Sequence, residues 1–304
     1  MSLWFRNLHI YRFVDGFSLS QEALEEKLAN HRFQSCARQA KESIGWISPL
    51  HRHFDELTYE AHGCLLLCMR KEEKVIPASA VNEALEERVA EVEEQQGRQV
   101  FKKEKQQLKE DILALMLPKA FTRATHCFAY IDTKNGFLIV NAGSNSLADT
   151  FISLLIESVG QLGAAKIAGD ENPATIMNLW LKDELPEGWS LTGEYELKDP
   201  ADERVARFRD NEAENLVIGD LLDDGYWVNK LGIQYQDELK AVIQHDLQIK
   251  SVKFDDELVK ENEDIDSEDK MARWDADFVL MTRTLAGFVE ALLAEFQVGD
   301  TVEA

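Results

Sequence analysis

Stretches of two-residue and of three-to-four-residue hydrophobic periodicity follow one another along the chain, and each predicts an element. Trp4, Leu8 and Ile10 on one side, with Phe5 and Tyr11 on the other, fit a strand over residues 3–13. Ser18 or Ser20 can cap a helix running through Leu24 and Leu28. Gly45 to Pro49 has the composition of a turn. The run GCLLLCMR from Gly63 to Arg70 predicts a buried strand, returning through Val75-Ile76-Pro77 after a charged turn at Lys71-Glu72-Glu73-Lys74. A second hairpin is predicted where His126–Asp132 and Phe137–Val140 flank Thr133-Lys134-Asn135-Gly136, since Asn-Gly suits the positive-φ positions of a tight turn. Leu147, Phe151, Leu154, Leu155 and Val159 then mark the inner face of a helix from Ser146 to Leu162.

Between the two hairpins lies a long helical segment. Val81, Leu85, Val89 and Val92 make one apolar stripe, and Leu108, Ile112, Leu115 and Met116 another. Gly97 separates them and Pro118 ends the second, which predicts a helical hairpin projecting as an arm. Beyond a small-residue stretch at 164–172 that reads as a linker, a helix is expected at Pro173–Lys182. Strands are expected at Thr192–Leu197, Arg204–Arg209, Tyr226–Tyr235, Leu239–Gln244 and Leu247–Phe254, with a short helix at 212–222. A final helix, capped by Asp266 or Ser267, carries Met271, Trp274, Phe278, Met281, Leu285, Phe288, Leu292 and Phe296 in one broad core stripe. The expected fold is α+β: mixed antiparallel sheets with packed helices and an inserted helical arm. Residues 1–76 and 118–165 would form a central domain, 77–117 the arm or tip, and 166–304 a C-terminal domain or base.

Charge changes this picture in one place. The chain has 33 Lys and Arg against 56 Asp and Glu over 304 residues, a formal net charge of −23. Such an excess favours solubility and repels nucleic acid at long range, so any nucleic-acid function needs segregated charge. Segregation is visible in the arm. Ser79–Gln96 carries six glutamates and one arginine, whereas Gly97–Arg123 carries Arg98, Lys102, Lys103, Lys105, Lys109, Lys119 and Arg123 against three acids. A solvated helix face and a polyanion-binding face both fit this run. A second run, Arg204, Arg207 and Arg209, falls on a predicted strand where Arg207 and Arg209 share a face. A phosphate-contacting strip and an edge guarded against pairing both fit there.

Other chemistry finds little footing. No P-loop, dinucleotide-binding glycine motif or nucleophile elbow is present, which excludes the usual nucleotide-hydrolysing and serine-hydrolase frameworks. The acidic tract 255–269 offers carboxylates for a Mg²⁺-dependent nuclease, although helix capping and a solvated loop account for it as well. His51, His53, His62, Cys64 and Cys68 lack the compact spacing of a zinc site. The four cysteines, Cys36, Cys64, Cys68 and Cys127, are expected to be reduced thiols. No leader peptide or membrane span is expected, which points to the cytoplasm.

Several collinear blocks carry a more specific signal. They are LWFRNLHIYR near the start, Gly45-Trp46, CMRKEEKVIP at 68–77, LPKAFTR at 117–123, IDTKNG at 131–136, ENP at 171–173, KFDDEL at 253–258, NEDID at 262–266 and DADFVLMT at 275–282. In order and spacing they resemble the bacterial recombination-associated RdgC family over nearly the whole chain. The resemblance implies a non-enzymatic, nucleoid-associated protein without cofactors: a homodimer closed into a ring whose basic hole surrounds double- or single-stranded DNA without sequence preference. It also implies antagonism of RecA-promoted recombination. By the same resemblance, Phe121 belongs to one ring-closing contact, with Lys119 and Arg123 flanking it near DNA. Relatives carry consecutive lysines followed by glutamine at the second contact. Here Arg209-Asp210-Asn211 stands instead, leaving Arg209 and Asn211 as the counterparts. Alternatives kept beside this reading are the nuclease and a protein-only partner of a recombinase, with the glutamate-rich half of the arm as a DNA mimic.

Overall fold

The computed structural model describes residues 3–50, 54–182, 185–209, 215–262 and 270–298. Among them the strands β1 (Leu8–Phe13), β2 (Glu42–Ile47), β3 (Thr58–Ala61), β4 (Cys64–Val75), β5 (Phe121–Asp132), β6 (Phe137–Asn141) and β7 (Ala164–Lys166) belong to the first part of the chain. The second part adds β8 (Trp189–Lys198), β9 (Val205–Phe208), β10 (Trp227–Tyr235), β11 (Leu239–Gln244) and β12 (Ile249–Phe254). All join one sheet in the order β2-β4-β5-β6-β1-β12-β11-β10-β8-β9, with β3 on β4 and β7 on β1. Among the described residues every strand pairing is antiparallel; β5–β6 and β10–β11 are joined by short hairpin turns, whereas β1–β6 and β4–β5 bring distant segments together. The two halves meet where β1 carries β12 and β7 on one edge and β6 on the other, with Leu8 opposite Ile249.

Helices cover the sheet unevenly. On one face, α5 (Pro173–Leu181), α6 (Asn215–Asp223), α7 (Asp256–Lys260) and α8 (Lys270–Glu295) pack on inward side chains of both halves. On the other face, α1 (Gln21–Ala29) and α4 (Asn145–Val159) cover only the first half, against Tyr11, Phe13, Leu138 and Val140. The longest helix, α8, crosses the seam. Its 26 residues span about 39 Å at 1.5 Å per residue. Phe278 meets Tyr59 and Tyr130 of the first half, and Phe288 meets Trp189 and Tyr235 of the second. Phe278, Met281, Leu285, Phe288, Leu292 and Phe296 are fully buried, as their three-to-four spacing predicts. The expected cap, Asp266 or Ser267, lies outside the described residues.

The arm is a helical hairpin, α2 (Ala78–Gln96) and α3 (Lys102–Met116), inserted between the ends of β4 and β5. Gly97 ends α2 in the left-handed region (φ 64°), a conformation glycine adopts without a Cβ clash. Val81, Leu85 and Ile112 pack with Ile76, Val89, Leu108 and Met116 in a small core of their own. Leu115, expected in that stripe, is instead largely exposed.

Local expectations failed where tertiary pairing overrode composition. Residues 71–74 form no turn: β4 runs unbroken because β5 is equally long and pairs with it from Cys64↔Asp132 to Val75↔Phe121. Its charges are absorbed by neighbours, Lys71 on Glu42 of β2 and Glu73 on Arg123 of β5. Gly45 sits inside β2 rather than in a turn. A Cβ there would lie 2.4 Å from the Phe33 Cα, so glycine permits the chain at 31–33 to close against the strand. The expected linker at 164–172 begins as β7, which hydrogen-bonds to β1. Phe5, expected to face away from Leu8 and Ile10, is buried in the same core as both.

Candidate nucleic-acid interface

Because α1 and α4 stop at the first half, the β12-β11-β10-β8-β9 half of the sheet has one covered face and one face on which no described helix packs. Alternation sends Leu239, Ala241 and Ile243 of β11 to the covered core and Lys240, Val242 and Gln244 to the open face. The same rule places Glu194, Glu196 and Lys198 of β8 and Arg207 of β9 on that open face, and register irregularities in the β10 and β12 pairings bring Lys230, Lys250 and Lys253 to it as well, opposite Gln244, Val242 and Lys240. At the seam Lys166 of β7, opposite Tyr11, joins them and donates to Asp246 (3.0 Å) in the β11–β12 turn. Among the described residues seven cations therefore share this surface with Glu194, Glu196 and Asp246, while Glu203 and Asp256 at its rim pair with Lys198 (3.3 Å) and Lys253 (3.9 Å), in a chain of net charge −23.

The arrangement is not neutralised pair by pair. Lys240 and Lys253 are directly opposite each other on β11 and β12, and both are exposed. Like charges in that relation repel and weaken the sheet. Among the described residues Asp256 alone pairs with Lys253, at 3.9 Å on the exposed rim. Lys250 donates to the Gly143 carbonyl (3.2 Å), beside Ser144, the N-cap of α4. Burial disfavours its charged form most, Asp246 pulls the other way, and Lys166 adds a smaller push against the charge. On the same face, at the seam, His9 is buried with Nε2 3.1 Å from the Ala142 carbonyl. Burial, then Lys250 and Lys166, lower its pKa to about 4, so it stays neutral.

Among the described residues Glu196 is the deeply placed acid of this face. Arg207 (2.8 Å), Lys230 (3.0 Å) and the Asn229 amide donate to it. Burial pushes its pKa up, but these donors outweigh that and hold it below the usual range. Arg207 is thus paired across the ladder, since Glu196 lies opposite it in register. The expected acid-free strip of Arg207 and Arg209 is therefore half neutralised, by a partner eleven residues away in sequence. Arg204 faces away and is held by Asp199 and Asp202. Arg209 is exposed at the end of β9, the sheet's edge strand. Its expected companion Asn211 lies outside the described residues.

The arm's cations occupy a separate place. Lys102, Lys103 and Lys105 are exposed on the first turn of α3, and Lys109 is half-buried below them. Arg98 is taken up by a two-pronged pair with Glu104 (2.8 and 2.9 Å). At the arm's base Lys119 is exposed and Arg123 pairs with Glu73. Phe121, opposite Val75, is 88% exposed. Beside it runs a groove of about 400 Å³ lined by Val75, Ile76, Ala84, Ile112, Leu115 and Met116. Seven strand spacings separate β5 from β9, about 34 Å along the sheet at 4.8 Å each, so arm and edge-strand arginines form no single patch in one chain. The lysines between them on β10, β11 and β12 were missed by a reading that sought runs of basic residues. LKAVIQ signals this by alternation, with Lys240 at its polar phase, whereas IKSVKF does not alternate and only the irregular register of β12 against β11 turns both its lysines to one face.

Chemistry of other kinds is not assembled here. Among the described residues no three His, Cys, Asp or Glu side chains converge as a metal-holding group. His51, His53 and 263–269 of the acidic tract lie outside those residues. Cys64, Cys68 and Cys127 are buried, and burial raises the pKa of each, that of Cys64 and of Cys127 to about 12, so these thiols are protonated. No described helix is long and apolar enough to cross a membrane.

The fold and this surface define an α+β protein built on one antiparallel sheet, with an inserted helical arm and an uncovered cationic face. The chain belongs to the RdgC family: the family model described as "Putative exonuclease, RdgC" matches residues 3–299. It is 40% identical over 294 residues to the recombination-associated protein RdgC of Tolumonas auensis, covering 96% of this chain and 97% of that one. The same-named proteins of Aeromonas hydrophila (40%) and Salmonella typhimurium (37%) match with the same coverage.

Proposed function

We propose that this protein binds double- and single-stranded DNA without sequence preference, as a ring-shaped homodimer that encircles DNA and restrains RecA-promoted recombination without catalysing a reaction. The observation that carries the reading is the open sheet face, above all the Lys240–Lys253 repulsive pair. A surface that tolerates such repulsion in an acidic chain is suited to a polyanion. Its lysines offer point charges to phosphates and no groove-reading element, so contacts are to the backbone and independent of sequence. Lys102, Lys103, Lys105, Lys109, Lys119, Arg123 and Arg209 add to that surface, which already holds Arg207, where the ring brings two copies together, and Arg204 would reach DNA only by leaving Asp199 and Asp202. A closed dimer has two-fold contacts. Phe121 of one copy enters the apolar groove beside Phe121 of the other, an aromatic anchor in a preformed recess. Arg209 and Asn211 contribute to the second closure. Encirclement obstructs a recombinase filament by occupancy, which needs no catalytic residue.

Fluorescence anisotropy with labelled duplex and single strands across a salt series, with sedimentation of the same samples, tests the reading. Expected are binding to both forms and a log–log salt slope near −0.9 per neutralised phosphate on duplex. A dimer that Phe121→Ala weakens is expected as well. A wild type that binds no DNA at low salt would refute it. The nuclease reading draws support from the family model's description. Supercoiled plasmid incubated with protein and Mg²⁺ decides between the two: a shifted but intact plasmid favours the ring, nicking or shortening the nuclease.

A further inference from the structure

The tip of the arm carries an aromatic residue with no structural reason to be there. Phe101 is 71% exposed, in the turn between α2 and α3, and takes no part in the arm's small core. It occupies the N-cap position of α3 in extended backbone (φ −79°, ψ 160°), where a Ser, Thr, Asp or Asn oxygen would hydrogen-bond the first turn. Phe cannot cap. The positions that follow are also unfavourable locally: Lys102, Lys103 and Lys105 place cations on the first turn, against the helix dipole. The tip's acids are largely engaged, Glu104 by Arg98 and Glu93 by the Val100 N–H (2.8 Å). The tip therefore presents a bare ring with free cations beside it, at a local cost in helix stability.

We propose that Phe101 stacks on an unpaired base of single-stranded DNA while Lys102, Lys105 and Lys109 follow its phosphates. This inference rests on the DNA-binding reading and adds to it a residue and a mode of contact. Phe101 and Lys105 are four residues apart, and Lys102, Lys105 and Lys109 recur at steps of three and four. Ring and cations thus share one side of the helix, over a rise of about 12 Å from Phe101 to Lys109. Aromatic side chains interleaved with cations hold single strands because every base offers a π-face, whereas a stacked duplex withholds its own. Charge disfavours the other simple occupant: two tips meeting in a dimer would set lysines against lysines.

Phe101→Ala, Phe101→Tyr and Lys102→Gln/Lys105→Gln are compared with wild type as intact chains. Anisotropy is read with labelled oligo(dT) and with a duplex of equal length, across salt. Photocrosslinking to 5-iodouracil-substituted single strands, mapped by mass spectrometry, reads the contact itself. Expected for Phe101→Ala is about a tenfold loss of single-strand affinity with unchanged salt slope and less than about a twofold loss on duplex. Phe101→Tyr restores affinity, the lysine variant flattens the single-strand slope by about 0.7 per lost contact, and the wild-type crosslink maps to Phe101. Wild type binding both DNAs, with Phe101→Ala unchanged and no crosslink at the tip, overturns the stacking inference and leaves DNA binding standing. Wild type binding neither overturns both.

Discussion

Reversing one charge of the Lys240–Lys253 pair should make the protein more stable and a poorer DNA binder, a combination that an ordinary surface residue does not give. The two lysines face each other across β11 and β12. A cross-strand ion pair is worth about 0.2–1 kcal/mol, and a like pair in the same place opposes folding. Both side chains are exposed, so screening puts the gain at the low end, about 0.5 kcal/mol for Lys240→Glu. For 304 residues the unfolding entropy converts that to a rise of roughly 1 °C in Tm. Lys253→Glu should gain less, because it also gives up Asp256 and sets a second carboxylate beside it. The double reversal restores a like-charged pair and should be no more stable than the wild type. DNA binding should follow a different order, falling with each substitution and furthest in the double variant. At 0.1 M salt a lost phosphate contact costs up to about eightfold in affinity, and the salt slope becomes less negative by about 0.9. Thermal melts and anisotropy across salt on the four proteins complete the cycle. If Lys240→Glu melts lower than wild type, the repulsion argument is wrong. If the single variants bind DNA with undiminished affinity and slope, the open face is not the DNA surface.

Phe121→Ala should leave the melting of the monomer within about 0.5 kcal/mol, because the ring is 88% exposed, while sedimentation shifts toward monomer. His9 has a folded pKa of about 4 against an ordinary 6.5, so the unfolded chain takes up its proton first as pH falls. Its contribution is complete above about 6.5, is lost progressively down to about 4 and amounts to roughly 3 kcal/mol, which urea melts of wild type and His9→Gln across that window should show as a difference in slope. Gly45→Ala should cost about 1–3 kcal/mol by urea denaturation, because its Cβ meets the backbone of Phe33 rather than a movable side chain.

Periodicity and capping made the elements legible wherever the information was local. The stripe of α8, the break at Gly97, the Asn-Gly hairpin after β5 and the alternation in β8 and β11 all follow from short-range sterics and from which side chains leave water. Family membership was equally legible, because collinear blocks such as LPKAFTR and DADFVLMT need no geometry to be recognised. Pairing between distant segments was not. Lys71–Lys74 looked like a turn because charged residues usually leave a sheet, yet β5 offered them a full-length partner. Arg207 looked free because the acid that neutralises it sits on another strand. Above all, each strand of the second half states that it has a polar face, but not whether a helix will lie on it. That was decided only when α1 and α4 packed on the first half and stopped at the seam. Alternation along one strand is a property of a few neighbouring residues. The exposure of a whole cationic face depends on where every helix comes to rest.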